Sequence, residues 1–202
     1  MNPLQIAIVT ASGSNKMDDF KPFMTEPDVH LYHVHQPDEW GQPDLVMLPG
    51  TNTVAEDFDM LQERGVVDLI HQHVAAGGWM FGICGGMHMM SQRLLDPNCQ
   101  KYPFTEKAML GILDIETLYL GPPVISRLRK VSAPWGCTLR GYETHTGRAD
   151  GTAPVIFRRE DGSALGFGHG HILATYLHRC FDNDDFRQAL LSSVRENKPL
   201  SC

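Results

Sequence analysis

Basic residues are scarce in this 202-residue chain, in which 17 Lys and Arg face 24 Asp and Glu, for a formal net charge of −7. Proteins that bind nucleic acid gain most of their affinity from lysine and arginine contacts to phosphates. We therefore expect no nucleic-acid partner. No stretch of the sequence approaches the ~20 apolar residues of a membrane helix, and we expect no membrane association.

The chain also lacks the cysteine patterns of a disulfide framework or a zinc site. Its cysteines are odd in number, scattered and free of any CxxC pair: Cys84, Cys99, Cys137, Cys180 and Cys202. This usage is typical of free thiols in a reducing compartment. The segment Met1–Leu4 lacks the basic residues and apolar run of a secretory signal. Together these absences lead us to expect a cytoplasmic protein.

The apolar pattern predicts one α/β domain over residues 1–202, a length that suits a single core. Strands and helices alternate in the first half, which predicts a mostly parallel central sheet flanked by helices. Short β-prone stretches from Leu113 to Leu177 predict a partly antiparallel extension of the same sheet. The predicted strands are Leu4–Val9, Val29–Val34, Asp44–Leu48 and Trp79–Ile83. The predicted helices are Val54–Val74 with a break near Gly65, Met87–Leu95 and Asp184–Arg195.

The segment Gly82-Ile83-Cys84-Gly85-Gly86 has the form of a nucleophile elbow, the sharp strand-to-helix turn that exposes a nucleophile in G-x-S-x-G hydrolases. Glycines suit such a turn because Cβ atoms would obstruct its close packing. The amino end of the following helix favours a thiolate over a thiol. The alternative is a buried cysteine that packs as a small apolar residue. The motif favours Cys84 as a catalytic nucleophile.

A thiolate that attacks a carbonyl creates an oxyanion, which needs hydrogen-bond donors. The backbone N–H of Gly85 is one candidate donor. The segment Pro49–Thr53 ends a neighbouring strand at the same edge of the sheet, where open α/β sheets bind ligands. We expect Gly50 or Thr51 to supply the second donor, although the segment taken alone also reads as an ordinary turn.

Among ten histidines, two have a context that suits a general base. His178 follows a β-prone run and is expected at the edge of the sheet that carries Cys84. His145 lies among glycine and polar residues that suit a pocket. We interpret most of the other histidines as surface or structural residues. A metal site built from His169, His171, His178 and Cys180 matches no zinc spacing, so we expect no metal ligands here.

Four blocks of sequence resemble the glutaminase domain of the cobyric acid synthase family, and a similar domain occurs in cobyrinic acid a,c-diamide synthase. They occur in order along nearly the whole chain: Asp44–Thr53, Gly82–Gly86, Gly141–Arg148 and Ala174–Arg187. The segment Ser12–Phe20 is similar to the opening loop of that domain. Four ordered blocks are far more specific than any one of them.

The resemblance implies a flavodoxin-like class I glutamine amidotransferase fold, with Cys84 as nucleophile and His178 as general base. It also implies substrate-binding roles for Tyr142, Glu143 and His145. In that family ammonia from L-glutamine passes to an ATP-dependent synthetase, which amidates carboxylates of a corrin precursor of cobalamin. The implied partner is thus a synthetase or amidase subunit, and ATP and Mg²⁺ are expected on that partner rather than on this chain.

The chain departs from the family pattern at three points. Many class I amidotransferases have a glutamate two residues after the base, but this chain has Cys180 there, as its subfamily generally lacks the glutamate. The glycine-rich stretch that follows the nucleophile helix in the family is poorly matched by Asp96–Tyr102. No segment matches G-x-x-x-x-G-K-[ST], the loop that cradles nucleotide phosphates, so this chain is not expected to couple ATP to amidation by itself.

Three alternatives remain at the level of sequence. In the first, the ammonia serves another amidation, on a cell-wall precursor or a different tetrapyrrole. The elbow alone also permits a cysteine hydrolase that acts on a different amide. A third alternative is an interaction module that keeps the fold without catalysis. The presence of both Cys84 and His178 disfavours the third alternative, because such a module has no chemical reason to keep both residues.

Overall fold

We describe a computed structural model of the chain over residues 2–11, 16–197 and 199–200. Residues 12–15, at the start of the segment that resembles the family's opening loop, lie outside the described residues. The strands are β1 (Leu4–Val9), β2 (Val29–Val34), β3 (Leu45–Leu48), β4 (Trp79–Ile83), β5 (Arg93–Leu95), β6 (Glu106–Ala108), β7 (Ile115–Leu118), β8 (Val124–Ser132), β9 (Thr138–His145), β10 (Arg148–Gly151), β11 (Val155–Arg158), β12 (Ala164–His169) and β13 (Ile172–Thr175). The helices are α1 (Val54–Glu63), α2 (Val66–Ala75), α3 (Gly85–Met90) and α4 (Asp184–Glu196), with a 3₁₀ helix at Met17–Thr25.

Five parallel strands form one half of the main sheet, in the order β2, β1, β3, β4, β13. Every residue of β3, β4 and β13 is buried, as expected where both faces of a parallel sheet are covered. Strands β1 to β4 confirm the four predicted strands, although β3 begins at Leu45 rather than Asp44. The carboxyl ends of β3, β4 and β13 lie side by side, and each leads into a segment with a candidate catalytic group.

Four more strands, β12, β11, β8 and β9, continue the sheet with antiparallel pairing, which confirms the predicted extension. The prediction that the whole stretch Leu113–Leu177 joins this sheet is wrong. Strands β7 and β10 instead pair with β5 and β6 in a separate four-stranded sheet. A Cβ atom at Gly147 would lie 2.7 Å from His88 Cε1 and 2.8 Å from Thr117 Cγ2. Gly147, between β9 and β10, therefore lies against both α3 and β7.

The predicted helix Met87–Leu95 is too long, because α3 ends at Met90 and Arg93–Leu95 forms β5. Ser91 adopts an extended conformation, and its hydroxyl donates a hydrogen bond of 2.6 Å to the carbonyl of His88. This bond satisfies a carbonyl of the last turn and ends the helix. Arg93 then pairs with Glu106 and Glu116 on the two neighbouring strands.

The predicted break near Gly65 is confirmed, since Gly65 has a φ of 80° and separates α1 from α2. Helix α4 confirms the predicted terminal helix. Its Phe186 packs with Phe81, Phe157 and Phe181 in the apolar core. In the part of the chain that the structure describes, no helix has the length and apolar character to cross a membrane.

Candidate active site

Cys84 lies at the turn between β4 and α3 with φ 52° and ψ −106°. Positive φ is uncommon for a residue with a side chain, and such conformations concentrate at functional sites. The backbone N–H of Cys84 donates a 2.8 Å hydrogen bond to the carbonyl of Thr175 at the end of β13. This bond fixes the turn against the strand that leads to His178. The local geometry is that of the predicted elbow.

The segment after β3 packs directly on the elbow. A Cβ atom at Gly85 would lie 2.5 Å from the carbonyl oxygen of Thr51 and 2.7 Å from its nitrogen, so only glycine permits this approach. The Thr51 hydroxyl donates a 2.6 Å hydrogen bond to Asp57 on α1, which holds the segment in place. The N–H groups of Gly50 and Thr51 donate to no atom of the described residues. The structure therefore brings Gly50, Thr51 and Gly85 together beside Cys84.

His178 lies beside Gly50 and is wholly buried. A Cβ atom at Gly50 would lie 2.9 Å from His178 Cε1 and 3.7 Å from Cys84 Cβ, so the imidazole and the cysteine meet across a position that requires glycine. Within the described part of the chain, His178 Nε2 has no hydrogen-bond partner. Its other ring nitrogen, Nδ1, lies 2.8 Å from Asp19 Oδ2.

Asp19, in the 3₁₀ helix Met17–Thr25, is the residue that orients His178. Its side chain is buried, and its second carboxylate oxygen accepts a 2.6 Å hydrogen bond from the backbone N–H of Arg179. The sequence analysis did not identify this residue, because Asp19 and His178 are 159 positions apart. The adjacent Asp18 is exposed and pairs with Lys21. The available signal was the resemblance of Ser12–Phe20, which includes Asp19, to the opening loop of the family.

The electrostatics of His178 follow from these contacts. Burial lowers its pKa, but the hydrogen bond with Asp19 and the proximity of Cys84 outweigh burial and raise the pKa to about 9. The Cys84 thiol itself donates to the carbonyl of Thr144, at a distance of 3.5 Å. The arrangement thus favours a protonated imidazole close to the side chain of Cys84.

Tyr142, the first of the predicted substrate-binding residues, covers His178. The two rings stack with centroids 5.0 Å apart and planes within 17°. The backbone N–H of His178 donates a 2.8 Å hydrogen bond to the carbonyl of Tyr142, so β9 is joined to the segment after β13. The tyrosine ring is 36% exposed, which makes it a boundary between the imidazole and solvent.

Glu143 and His145, the other predicted substrate-binding residues, form a separate buried cluster. His145 Nε2 lies 3.2 Å from Glu143 Oε2, and Arg159 Nη2 lies 2.5 Å from the same oxygen. Burial raises the pKa of Glu143, but the hydrogen bonds from His145 and Arg159 dominate and lower it to about 2. Both residues line a cavity of about 370 Å³ that also includes Tyr176. A role for them in substrate binding stays a prediction.

His88 is a buried residue behind the elbow that the sequence analysis left among the structural histidines. Its ring lies between the hydroxyls of Tyr119, at 3.0 Å, and Tyr176, at 2.9 Å. Burial lowers the pKa of His88 to about 3, so the ring is neutral. Its backbone N–H donates to the carbonyl of Cys84. The residue supports the elbow from α3 and places no charge there.

A pocket of about 580 Å³ opens beside the elbow. Asn52 follows the Thr51 that packs on Gly85, and Thr146 lies two residues after the Thr144 that accepts the cysteine hydrogen bond. The lining is Asn52, Gln100, Lys101, Tyr119, Leu120, Gly121 and Thr146. Across residues 2–11, 16–197 and 199–200, no cluster of three or more His, Cys, Asp or Glu side chains has an arrangement that would hold a metal ion.

Known proteins that resemble the chain agree on one class. A cobyric acid synthase from Acaryochloris marina is 33% identical over 96% of this chain, and one from Carboxydothermus hydrogenoformans is 34% identical over 98%. The chain spans only about two fifths of these relatives, 42% and 41% respectively. A solved glutamine amidotransferase superposes with a TM-score of 0.69 at 14% identity, covering 94% of this chain and 98% of its own.

A second solved structure, PurLQS from Thermotoga maritima, superposes with a TM-score of 0.72 at 15% identity, covering 96% of this chain and 100% of the other. These two likenesses establish the fold as that of a class I glutamine amidotransferase, as the sequence predicted. The family described as the CobB/CobQ-like glutamine amidotransferase domain matches residues 5–186. The chain therefore belongs to the CobB/CobQ-like glutamine amidotransferase family.

Proposed function

We propose that this chain hydrolyses L-glutamine through Cys84, with His178 as the acid and base and Asp19 as the residue that positions it. The observation that carries the proposal is the meeting of three elements at one point. The elbow presents Cys84, the end of β13 delivers His178, and a buried carboxylate from the start of the chain holds the imidazole through Nδ1. The free Nε2 of His178 is left for proton transfer.

In the first half of the reaction the Cys84 thiolate attacks the carboxamide carbon of glutamine. The oxyanion accepts hydrogen bonds from the N–H of Gly85 and from that of Gly50 or Thr51. As the tetrahedral intermediate collapses, the carbon–nitrogen bond breaks and the leaving nitrogen takes the proton of His178 Nε2. Ammonia and a glutamyl thioester on Cys84 result.

In the second half His178 acts as a base. The imidazole, now neutral, accepts a proton from a water molecule that attacks the thioester carbon. Collapse of this intermediate releases glutamate and restores the thiolate beside the protonated imidazole. Asp19 stabilises the charged ring in both halves, as the buried acid of a catalytic triad does. Cys180 occupies the position at which many class I amidotransferases have a glutamate. In this chain Asp19, from a distant part of the sequence, takes the role of that glutamate.

The ammonia is proposed to pass to an ATP-dependent synthetase. The relatives that support this step are cobyric acid synthases, of which this chain matches about two fifths. The amidated groups would be carboxylates of a corrin precursor in cobalamin biosynthesis, in the cytoplasm, with ATP and Mg²⁺ bound by the synthetase. A different acceptor, such as a cell-wall precursor or another tetrapyrrole, is the alternative for the same glutaminase chemistry.

Ammonia release tests the glutaminase proposal. Wild type and Cys84→Ala are incubated with glutamine, and the ammonia and glutamate released are measured. Hydrolysis of glutamine yields these two products in equal amounts. The wild type is expected to release both, and the variant neither. A candidate synthetase with ATP and acceptor should stimulate the wild type, and free ammonia should support amidation when the variant replaces it. Glutamine hydrolysis that survives in Cys84→Ala would overturn the assignment of the nucleophile.

A further inference from the structure

The segment Asp96–Tyr102, which departs from the family pattern, forms a tight loop around one buried carboxylate. Asp96 accepts hydrogen bonds from the N–H groups of Gln100, Lys101 and Tyr102, at 2.9, 2.7 and 2.8 Å. The backbone N–H of Cys99 donates to the carbonyl of Asp96, at 2.9 Å. These bonds fix the backbone at Lys101, so the loop presents that lysine in a defined position.

The Lys101 ammonium is held over two aromatic rings and has no carboxylate partner in the described part of the chain. Its Nζ lies 4.9 Å from the centroid of Tyr119 and 5.4 Å from that of Tyr102. Partial burial lowers the pKa of this lysine, whereas the charges of Cys84, Glu56 and Asp96 act to raise it. The residue is exposed, so its ammonium group is open to an anionic ligand that enters the pocket.

Lys107 provides the contrast within the same region. Its Nζ also lies near a ring, 5.7 Å from the centroid of Phe104, but it is paired with Asp59 at 2.6 Å. The stacked lysine with a structural role thus has its own carboxylate, while the lysine in the pocket beside Cys84 has none.

The pocket has the polarity that free glutamine requires. A glutamine molecule with its carboxamide at Cys84 and its carbon chain in this pocket would bring its α-carboxylate and α-ammonium groups to the lining residues. Lys101 offers the cation in this lining, and the side-chain oxygens of Asn52 and Thr146 offer acceptors for the ammonium. We propose that Lys101 binds the α-carboxylate of glutamine and thereby selects the free amino acid over carboxamides without this negative charge. This inference rests on the proposed glutaminase function and names how its substrate is recognised.

The kinetic test compares glutamine with glutaminamide, in which the α-carboxylate is replaced by a neutral amide. Lys101→Met is expected to raise KM for glutamine about 10- to 100-fold, the loss typical of a hydrogen bond to a charged group, with little change in kcat. KM for glutaminamide should not change, so selectivity disappears. Lys101→Arg should retain much of the selectivity, and the matched control Lys107→Met should behave as the wild type with both substrates.

A binding measurement separates this inference from the proposed function. Calorimetry in a Cys84→Ala background requires no turnover, and Lys101→Met should weaken glutamine binding there by the same factor. Circular dichroism verifies that each variant is folded. Wild-type hydrolysis with unchanged selectivity in Lys101→Met would overturn the role of Lys101 alone, whereas absence of hydrolysis in the wild type would overturn the function. Lys16 also lies near the elbow, since a Cβ atom at Gly50 would be 3.6 Å from its Cδ. Loss of selectivity in Lys16→Met, but not in Lys101→Met, would assign the carboxylate to Lys16 and contradict the proposal.

Discussion

Two buried histidine–carboxylate pairs lie close to the elbow, and they differ in what else the carboxylate binds. Asp19 contacts the imidazole of His178 at 2.8 Å, and its other oxygen accepts from a neutral backbone N–H. Glu143 contacts His145 at 3.2 Å but also pairs with Arg159. The charge of Glu143 is thus balanced by an arginine, while that of Asp19 is balanced by its histidine.

The two imidazoles also differ in their free edges. His178 keeps Nε2 without a partner and faces Cys84, whereas His145 has Nδ1 2.7 Å from the carbonyl of Gly147 and stacks on Tyr176 with centroids 3.6 Å apart. Both ring nitrogens of His145 are therefore occupied. A histidine next to a carboxylate is a base only where the carboxylate needs its charge and the second nitrogen is open. His178 meets this condition and His145 does not, which supports the proposal of His178 as the base.

Replacement of each histidine in turn should give the largest difference between the two pairs, measured as glutamine turnover. His178→Asn is expected to lower glutamine turnover by roughly 10²–10⁴, the range for loss of a general acid or base. His145→Asn should leave kcat nearly unchanged and at most weaken glutamine binding. Steady-state kinetics on both variants measure the difference, and an essential His145 with a dispensable His178 would require the roles to be exchanged.

Replacement of the two carboxylates should give a smaller effect with a distinct pH signature. Asp19→Asn is expected to lower kcat by less than His178→Asn does, because the ring remains but loses its orienting charge. The wild type should keep activity until pH approaches 9 and lose it above, as His178 loses its proton. In Asp19→Asn this alkaline limb should move to lower pH, whereas Glu143→Gln should leave it in place. An unmoved limb in Asp19→Asn would contradict a positioning role.

The pH dependence of the free energy of unfolding should also distinguish the two histidine–carboxylate pairs. This is the smallest of the expected differences. The pKa of His178 is raised from 6.5 to about 9, so its contribution to stability is fully present below pH 6.5 and is lost as pH rises towards 9. The pKa of Glu143 is lowered from 4.5 to about 2, so its contribution is present above pH 4.5 and is lost as pH falls towards 2.

Urea unfolding across these two windows provides the measurement. Asp19→Asn should flatten the alkaline loss of stability and leave the acid loss unchanged, and Glu143→Gln should do the reverse. The same profile in both variants would show that the two pairs are not electrostatically distinct.

Much of the nucleophile side of the site is predictable from sequence, because it is local. Glycines around Cys84 dictate a sharp turn within five consecutive residues, and the strand before it is a continuous apolar run. The base side is not local. Asp19 reaches His178 only after β1 and β13 have been placed in one sheet, and nothing in the adjacent pair Asp18-Asp19 shows which carboxylate becomes buried.

The errors in the predicted fold have the same origin. The apolar spacing of Met87–Leu95 suits a helix, but the hydroxyl of Ser91 ends α3 and cross-strand ion pairs of Arg93 favour β5. Likewise, the β-prone stretches after Leu113 show no local difference between those that extend the main sheet and those that form the small one. Partner choice depends on contacts made across the fold.

Covalent labelling of Cys84 with a glutamine-like electrophile, followed by peptide mapping, tests the central claim most directly. Cys84 is 6% exposed, whereas Cys99 is an exposed free thiol, so accessibility alone would direct a reagent to Cys99. Burial also raises the pKa of Cys137 and Cys180, which disfavours their thiolates. The account predicts label on Cys84 alone among the five cysteines, with protection by glutamine and much slower labelling in Asp19→Asn and His178→Asn. Label found mainly on Cys99 or Cys137, unaffected by glutamine, would contradict it.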